Sequence, residues 1–445
     1  MPMLDEKNKA RLSLNKPHHQ RTYFRSFLLH FRPKTIPERT LRLSLTWGLG
    51  GAALVLVFLL FGSGLMLKFV YEPFPDKAYD SIVYLNNQVP FGLLTRNIHW
   101  LSANGLILVA LLHLLRVYYT SAFYAPRQVN WLIGLLILAA VVLSNFSGYL
   151  LPWDQVAYWA ITISTSMLDY IPVAGAAIKE WMLGGTEPGP GTLVNFYAFH
   201  TAILPAIVLI ALPYHFWKIR KARGLVIPRS TEEEPGINGE PVDTMPHLIV
   251  REAAMTALVL AIVLVIAMLF NAPLAEQANP GLSPNPTKAP WYFMGIQEML
   301  MHFHPVFAIL VIPLTLLLGL CLIPYIRYDT DSSGIWFVSR KGRVLALWAM
   351  VIAGTATIAA VVLGEMLATS QAIGPPDVIN TGLVPYIVLA GLCTGFYVLL
   401  KKVFKANNNE AIQALFTLLM TAFVVLTCIG IWFRGTGMQL MWAGW

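Results

Sequence analysis

The sequence predicts an all-α, polytopic transmembrane fold of about nine spans, and three observations carry that prediction. Only 12% of the 445 residues are charged and 56% are hydrophobic, against roughly 25% charged in ordinary soluble domains. Nine separate stretches of about 20 predominantly apolar residues are each long enough for a hydrocarbon layer ~30 Å thick, and mean hydropathy is +0.61. Third, the net charge of +8, from 31 Lys and Arg against 23 Asp and Glu, is concentrated at the ends of alternate spans. This excludes a soluble cytosolic enzyme and points to membrane topology, not to nucleic acid.

The spans fall at about 46–71, 96–120, 129–151, 193–217, 249–271, 306–326, 344–366, 383–402 and 412–433. Ahead of the first lies an arm, 1–45, with ten basic residues, three acids and no apolar run. No cleaved secretory signal is therefore expected, and the first span is its own insertion signal. With that arm cytoplasmic, the same side receives Arg116 and Arg127, the run Lys218, Arg220, Lys221 and Arg223, the trio Arg340, Lys341 and Arg343, and Lys401, Lys402 and Lys405. The opposite loops hold Glu72, Asp76, Asp80, Asp154, Asp169, Glu180, Glu187, Glu365 and Asp377. All loops agree with a cytoplasmic N-terminus and an external C-terminus.

The spans group into units. Residues 46–221 form a four-helix bundle with a long outer loop, 152–192, whose segment QVAYWAITISTSMLDY reads as an amphipathic helix along the interface. A Pro-, Gly- and Glu-rich stretch, 222–248, is a cytoplasmic linker. Residues 249–326 supply two spans joined by a second long outer loop, 272–305, with Pro273, Pro280, Pro284, Pro286 and Pro290. Residues 327–445 add further transmembrane helices. Long structured loops meeting on one face usually build a site. Cys321, Cys393 and Cys428 lie singly in apolar runs, with no C-x-x-C, and read as small buried thiols.

Four of the ten histidines stand inside spans: His99 and His113 in the second, His200 and His215 in the fourth. An ionisable group inside a membrane helix is costly and is by default a functional hypothesis. Fourteen residues at ~100° each return within ~40° of the starting face, so His99 and His113 share one face about 21 Å apart. The fourth-span pair is 15 apart, which alone adds ~60°; Pro205 and Pro213 can rewind that helix. Both spans run from outside to inside, so His99 pairs with His200 near the outer face and His113 with His215 near the inner one. Two stacked bis-histidine sites are how a helical bundle holds two b-type haems, with His as axial ligand to each iron.

Glycines give an independent check. Gly50 and Gly64 in the first span, and Gly134 and Gly148 in the third, repeat the 14-residue interval at matching depths. Glycine inside a helix costs about 1 kcal/mol relative to alanine, and its gain is close approach of a bulky neighbour. Each level thus has two imidazoles and two glycines. Arg96, just before His99, is placed either to pair with a haem propionate or to anchor the helix end at the interface.

At this point the segments RNIHWLSANGLILVALLHLLRVY, GYLLPWDQVAYWAITI and HTAILPAIVLIALPYHFWKIRK resemble cytochrome b of the bc1/b6f-type quinol oxidoreductases. The likeness runs from the first span to at least the sixth and is closest to the b6f-type branch, here as a fused bacterial form. The resemblance implies a bacterial cytoplasmic membrane, a homodimeric complex, a Rieske iron–sulfur protein and a c-type cytochrome as partners, and exchange with the quinone pool. It implies quinol oxidation in the outer loops, electron transfer through a His99/His200 haem and a His113/His215 haem, and quinone reduction at the inner face in a proton-motive Q cycle. Tyr158, Trp291, Tyr292 and Glu298 are the outer-site candidates, and Arg220 with Lys221 the inner ones.

The sequence departs from the family pattern twice. The family's P-E-W-Y appears as Ala289-Pro290-Trp291-Tyr292, so Pro290 stands where a proton-accepting glutamate is expected. Glu298, eight residues on, is the nearest carboxylate and the expected substitute acceptor, with His302 as a relay; its plainer reading is a loop carboxylate in a surface salt bridge. The b6f-type branch also attaches an additional haem through a cysteine where this chain has Gly48 in TWGLGG, so no covalent third haem is expected. Two other classes fit the four histidines: a dihaem anchor of another quinone-linked oxidoreductase without bifurcation, and a transporter with a histidine proton relay.

Overall fold

The computed structural model describes residues 34–222, 224–226, 241–368 and 377–441, with backbone alone at 367 and 368. Most of the basic arm and of the 222–248 linker lies outside them. Among the described residues nine helices are long and apolar enough to cross a membrane: Leu49–Leu67, Gly92–Tyr119, Gln128–Leu150, Pro190–Lys221, Thr244–Leu269, Phe307–Tyr325, Arg340–Met366, Val378–Lys402 and Asn408–Trp432. The protein is an all-α, polytopic membrane protein, and these helices are its first to ninth spans below. The second begins at Gly92, ahead of its apolar run, and Arg96 and Asn97 in its first turns bury their polar groups against the end of the fifth span and the chain after it.

The interfacial segment forms as a helix, Gln155–Ser166, started by the Asp154 carboxylate, which accepts from the Ala157 amide at 2.9 Å. Two short helices, Ala78–Gln88 and Gly175–Leu183, fill loops whose sequence showed no periodicity long enough to announce them. A two-stranded ribbon pairs Thr35–Pro37 antiparallel to Pro241–Asp243 and ties the arm's end to the start of the fifth span.

The fourth span is not a uniform α-helix. Phe199–Ile203, around His200, is a π-turn in which the Leu204 amide reaches back to the Phe199 carbonyl. Such a turn inserts one residue into a helix, and Pro205, lacking an N–H, removes the donor an α-turn would need there. The inserted residue absorbs the difference between the 15-residue interval of this span and the 14 of the second. The correction thus sits at the His200 turn itself rather than in kinks spread over Pro205 and Pro213.

The bundle's core lies halfway between the histidine levels. Leu56 and Val57, Leu106 and Ile107, Ala140 and Val141, and Val208 are buried together with Val263 of the fifth span. Each of the first four groups sits near the midpoint of its own helix's Gly or His pair. At the His113 level, Tyr118, Phe123, Trp131 and Ile323 form an aromatic-rich cluster. The ninth span docks there, its Phe416 ring 3.8 Å from that of Tyr118 and its Thr417 hydroxyl 3.0 Å from that of Tyr119.

At the His99 level the ninth span packs on the helix Met294–Leu300 through two glycines. A Cβ at Gly295 would come within 2.7 Å of Phe423 and Thr427, and one at Gly430 within 3.0 Å of the Met294 methyl. Gly430→Leu must push these helices apart, at about 1–3 kcal/mol for an overpacked contact. A lowered denaturation temperature is expected for the purified protein, while Gly391→Leu, at a position with nothing within 4 Å, leaves it unchanged.

Candidate functional site

Each of the four intramembrane imidazoles rests against one of the four expected glycines. A Cβ would lie 3.1 Å from the His99 ring if built on Gly64, 3.7 Å from His113 on Gly50, 2.5 Å from His200 on Gly148 and 3.6 Å from His215 on Gly134. The first and second spans thus form one half of each level, the third and fourth the other. The His99 and His200 rings face each other with centroids 6.1 Å apart and planes at 74°.

Two serines missed at the sequence level set the ring orientation. Ser63 donates to the Leu59 carbonyl at 2.6 Å, so its oxygen is left to accept from His99 Nδ1 at 2.9 Å. His200 Nδ1 donates to the Ser144 carbonyl at 2.9 Å, with the Ser147 hydroxyl at 3.3 Å. With Nδ1–H committed, Nε2 of both rings carries the lone pair. The visible signal was the Ser-Gly dipeptide, Ser63-Gly64 and Ser147-Gly148, which recurs on the two helices facing the histidines.

Arg96 and Asn97 hold the start of the long loop after the fifth span. The Arg96 guanidinium donates to the carbonyls of Ala272, at 3.0 Å, and Pro273. Asn97 donates to the Ala267 carbonyl and accepts from the Ala272 amide. Further along, the Trp291 indole donates to Asn104 of the second span at 2.8 Å. Tyr292 and Trp291 both pack against the bundle core. Burial, with Tyr149 adjacent, pushes the Tyr292 phenol well above its ordinary range, so it keeps its proton. Tyr158 stands between the rings of Trp153 and Trp159, each at 5.8 Å. Its helix meets the same long loop where the Gln155 amide accepts from and donates to the backbone of Asn279 and Leu282 respectively, through its side chain.

Glu298 is fully buried, not a surface carboxylate. Arg434, two residues past the ninth span, grips it with Nε at 3.0 Å from Oε2 and Nη2 at 2.6 Å from Oε1. The same guanidinium reaches Glu365 through Nη1 at 2.8 Å, and His302 Nε2 stands 3.2 Å from Glu298 Oε1. Burial alone would raise the carboxyl's pKa, but the bonds from His302 and Arg434 outweigh it and hold Glu298 below its ordinary value. Arg434 and Glu365 were not foreseen as site residues; an arginine just past the last apolar run was the available signal. At the other level, Arg220 occupies the last turn of the fourth span, and the Lys221 ammonium lies 4.3 Å from the Trp217 ring centroid.

The sequence model described as Cytochrome b/b6/petB matches residues 37–223, the part of the chain that carries all four imidazoles. Over 173 residues the chain is 41% identical to cytochrome b6 of Acaryochloris marina (strain MBIC 11017), covering 39% of this chain and 80% of that protein. The chain belongs to the cytochrome b/b6 family. Cytochrome b6 of Synechococcus elongatus (strain ATCC 33912 / PCC 7942 / FACHB-805) is 40% identical over the same coverage. Among solved structures, the chain is similar in fold to a chain described as "Hyperthermophilic respiratory Complex III", with a TM-score of 0.63, 23% identity, and coverage of 94% of this chain and 98% of that one. That likeness of fold extends to the C-terminal spans, beyond the family match.

Members of the cytochrome b family normally bind haem, and the residues here fit it. Two imidazoles on opposite sides of one metal ion, at roughly 2 Å per bond, have ring centres about 6 Å apart, as His99 and His200 do. Arg116, one turn after His113, is 5% exposed and donates from Nε to the Leu45 carbonyl at 2.7 Å, yet its Nη2 is buried without a hydrogen-bond partner. A buried guanidinium nitrogen is costly unless paired, and a propionate at the His113 level is an acceptor of the right charge.

The depressed Glu298 value carries a sign. The pairing stabilises the folded state above the ordinary carboxyl value of 4.5 and is lost as pH falls through the lower folded value. Glu298→Gln leaves a buried guanidinium short of a partner, so a loss of about 3–5 kcal/mol is expected at pH 7. In denaturation of the purified protein, the gap to wild type should narrow only below about pH 4.5.

Proposed function

We propose that the chain is the cytochrome b subunit of a membrane quinol:cytochrome c, or similar acceptor, oxidoreductase. In this reading quinol is oxidised near the outer face, electrons cross to the cytoplasmic face, and quinone is reduced there, as in a proton-motive Q cycle. The observation that carries it is the register of four imidazoles and four glycines at two depths. The bacterial cytoplasmic membrane is the setting, with the arm inside and Arg434 at the outer side. A Rieske iron–sulfur protein and a c-type cytochrome would be the partners, in a homodimeric complex that draws on the quinone pool.

Haem bound at the two levels would supply one-electron carriers separated by the apolar layer around Leu56, Ile107, Val141 and Val208. The chain's own residues do the rest. His99 with His200, through Nε2, and His113 with His215 would hold the two irons; the serines fix the outer pair of rings and the glycines seat all four, so that little rearrangement accompanies charge change. Arg96 and Asn97 fasten the loop that brings Trp291 and Tyr292 onto the bundle, and Tyr158, on the other outer loop, is the further contact proposed. These three rings offer a quinol ring apolar faces and, in Tyr292, a donor for its oxygen. Arg220 and Lys221 are the proposed contacts of the inner quinone. With Gly48 where the b6f-type branch has a cysteine, the reading includes two haems and no covalent third.

Pro290 in place of a glutamate favours a second reading, a dihaem anchor that passes electrons without splitting them. With an inhibitor of the inner quinone site bound, adding an oxidant to the purified complex should transiently increase reduced b-haem absorbance. No increase would establish the anchor. The ligand assignment has its own check, since Gly148→Leu forces a side chain into the His200 ring. Pyridine haemochrome is expected to fall from two haems per chain to one, and two haems retained would remove His200 from the assignment.

A further inference from the structure

The charged cluster on Glu298 joins four parts of the chain: the helix Met294–Leu300, the turn after it, the seventh span and the end of the ninth. Its charges do not cancel. Glu298 and Glu365 contribute two negatives and Arg434 one positive, so the cluster carries one net negative charge while His302 is neutral and none when His302 is protonated. Exposure is graded: the side chains of Glu298 and Arg434 are 0% exposed, His302 is 19% and Glu365 is 31%. The imidazole is thus the group that touches the buried carboxylate and is itself partly exposed, and its second ring nitrogen can accept a proton.

A second observation concerns the ring's other nitrogen. His302 Nε2 faces Glu298, and Nδ1 lies where a Cβ on Gly364 would come within 3.0 Å. Glycine at 364 lets this edge of the ring lie against the seventh span with no side chain on that nitrogen, one residue before Glu365. Other charged or titratable groups nearby are engaged elsewhere: Lys288 donates to the Ile431 carbonyl at 2.9 Å, and His304 accepts from the Val306 amide and stands edge-on to Tyr170.

We propose that His302 takes up the proton released at the quinol site and passes it to outer water, with Glu298, Arg434 and Glu365 as the residues that position it. This rests on the quinol reaction proposed above, and it shifts the proton-accepting role from the Glu298 carboxylate to the imidazole beside it. Arg434 occupies the carboxylate oxygens that would otherwise bind the proton. The quinol O–H bond breaks with its electron pair left on oxygen, and an N–H bond forms at His302 Nδ1. That bond then breaks, and the proton leaves to outer water. From Tyr292 to Glu298 the short helix rises about 9 Å, so the proton would cross on water-mediated hydrogen bonds. The C-terminal spans thereby contribute to the reaction: without Arg434 and Glu365, the cluster has neither its fixed geometry nor its exit.

The test follows quinol-driven reduction of b-haem in the purified complex as a function of pH. Wild type should speed up with rising pH along one ionisation. His302→Asn should be about a hundredfold slower at pH 7, the lower end of the usual range for losing a general base, and should lose that ionisation while keeping full haem content. Arg434→Lys retains the charge but not the fork, so it should move the ionisation without abolishing it. Glu365→Gln, which removes a negative charge from the cluster, should move it down by about one pH unit. A wild-type profile in His302→Asn overturns the proposal, and unchanged profiles in both Arg434→Lys and Glu365→Gln overturn the positioning roles. If quinol reduces no haem in wild type at any pH, the proposed function itself has failed, and this proposal with it.

Discussion

The contact between a glycine backbone and an imidazole ring, repeated four times, is the constraint on which the rest of the bundle depends. A side chain at Gly148 would meet the His200 ring at 2.5 Å and one at Gly64 would meet His99 at 3.1 Å. The helices can therefore approach as closely as they do only where they carry glycine. The His99 and His200 rings so seated face each other 6.1 Å apart. Between the levels, where nothing but helix has to fit, the same four helices fill their core with Leu56, Ile107, Val141 and Val208. Small residues at the two ends of the interval and large ones at its midpoint are the packing expected of helices that must leave gaps at two depths and none between.

Around this frame the loops and C-terminal spans are held by buried polar contacts rather than by apolar area alone. Arg96 and Asn97 fasten the loop after the fifth span, Trp291 bonds to Asn104, and Arg434 bridges Glu298 and Glu365. Inside a membrane, where lipid is as apolar as leucine, such contacts and close packing supply the specificity that hydrophobic burial supplies in water. The ninth span is fixed at both its ends, by Phe416 and Thr417 at one level and by Gly430 and Arg434 at the other. It therefore belongs mechanically to the bundle and is not an appendage.

Much of this was legible in the sequence, and the reasons differ by element. Span positions could be read because about 20 apolar residues are required whatever the tertiary contacts. The histidine and glycine intervals could be read because 14 residues are nearly a whole number of turns. The π-turn at Phe199–Ile203 could not, since it depends on which carbonyl goes without a donor when Pro205 follows; only the odd residue in the 15-residue interval hinted at it. Ser63 and Ser147 were overlooked because a serine in a membrane helix usually bonds its own backbone, as both also do here. Arg434 was overlooked for a different reason. Its partners are 136 and 69 residues away, and no periodicity reports a contact of that range.

The central claim is that two metal centres are each held by two imidazoles, and the most direct measurement is low-temperature electron paramagnetic resonance of the oxidised protein, combined with near-infrared magnetic circular dichroism. The account predicts two distinct low-spin ferric species, both with the charge-transfer signature of bis-histidine ligation. A high-spin species accounting for half or more of the iron, a single low-spin signal at two haems per chain, or a protein without iron would contradict it.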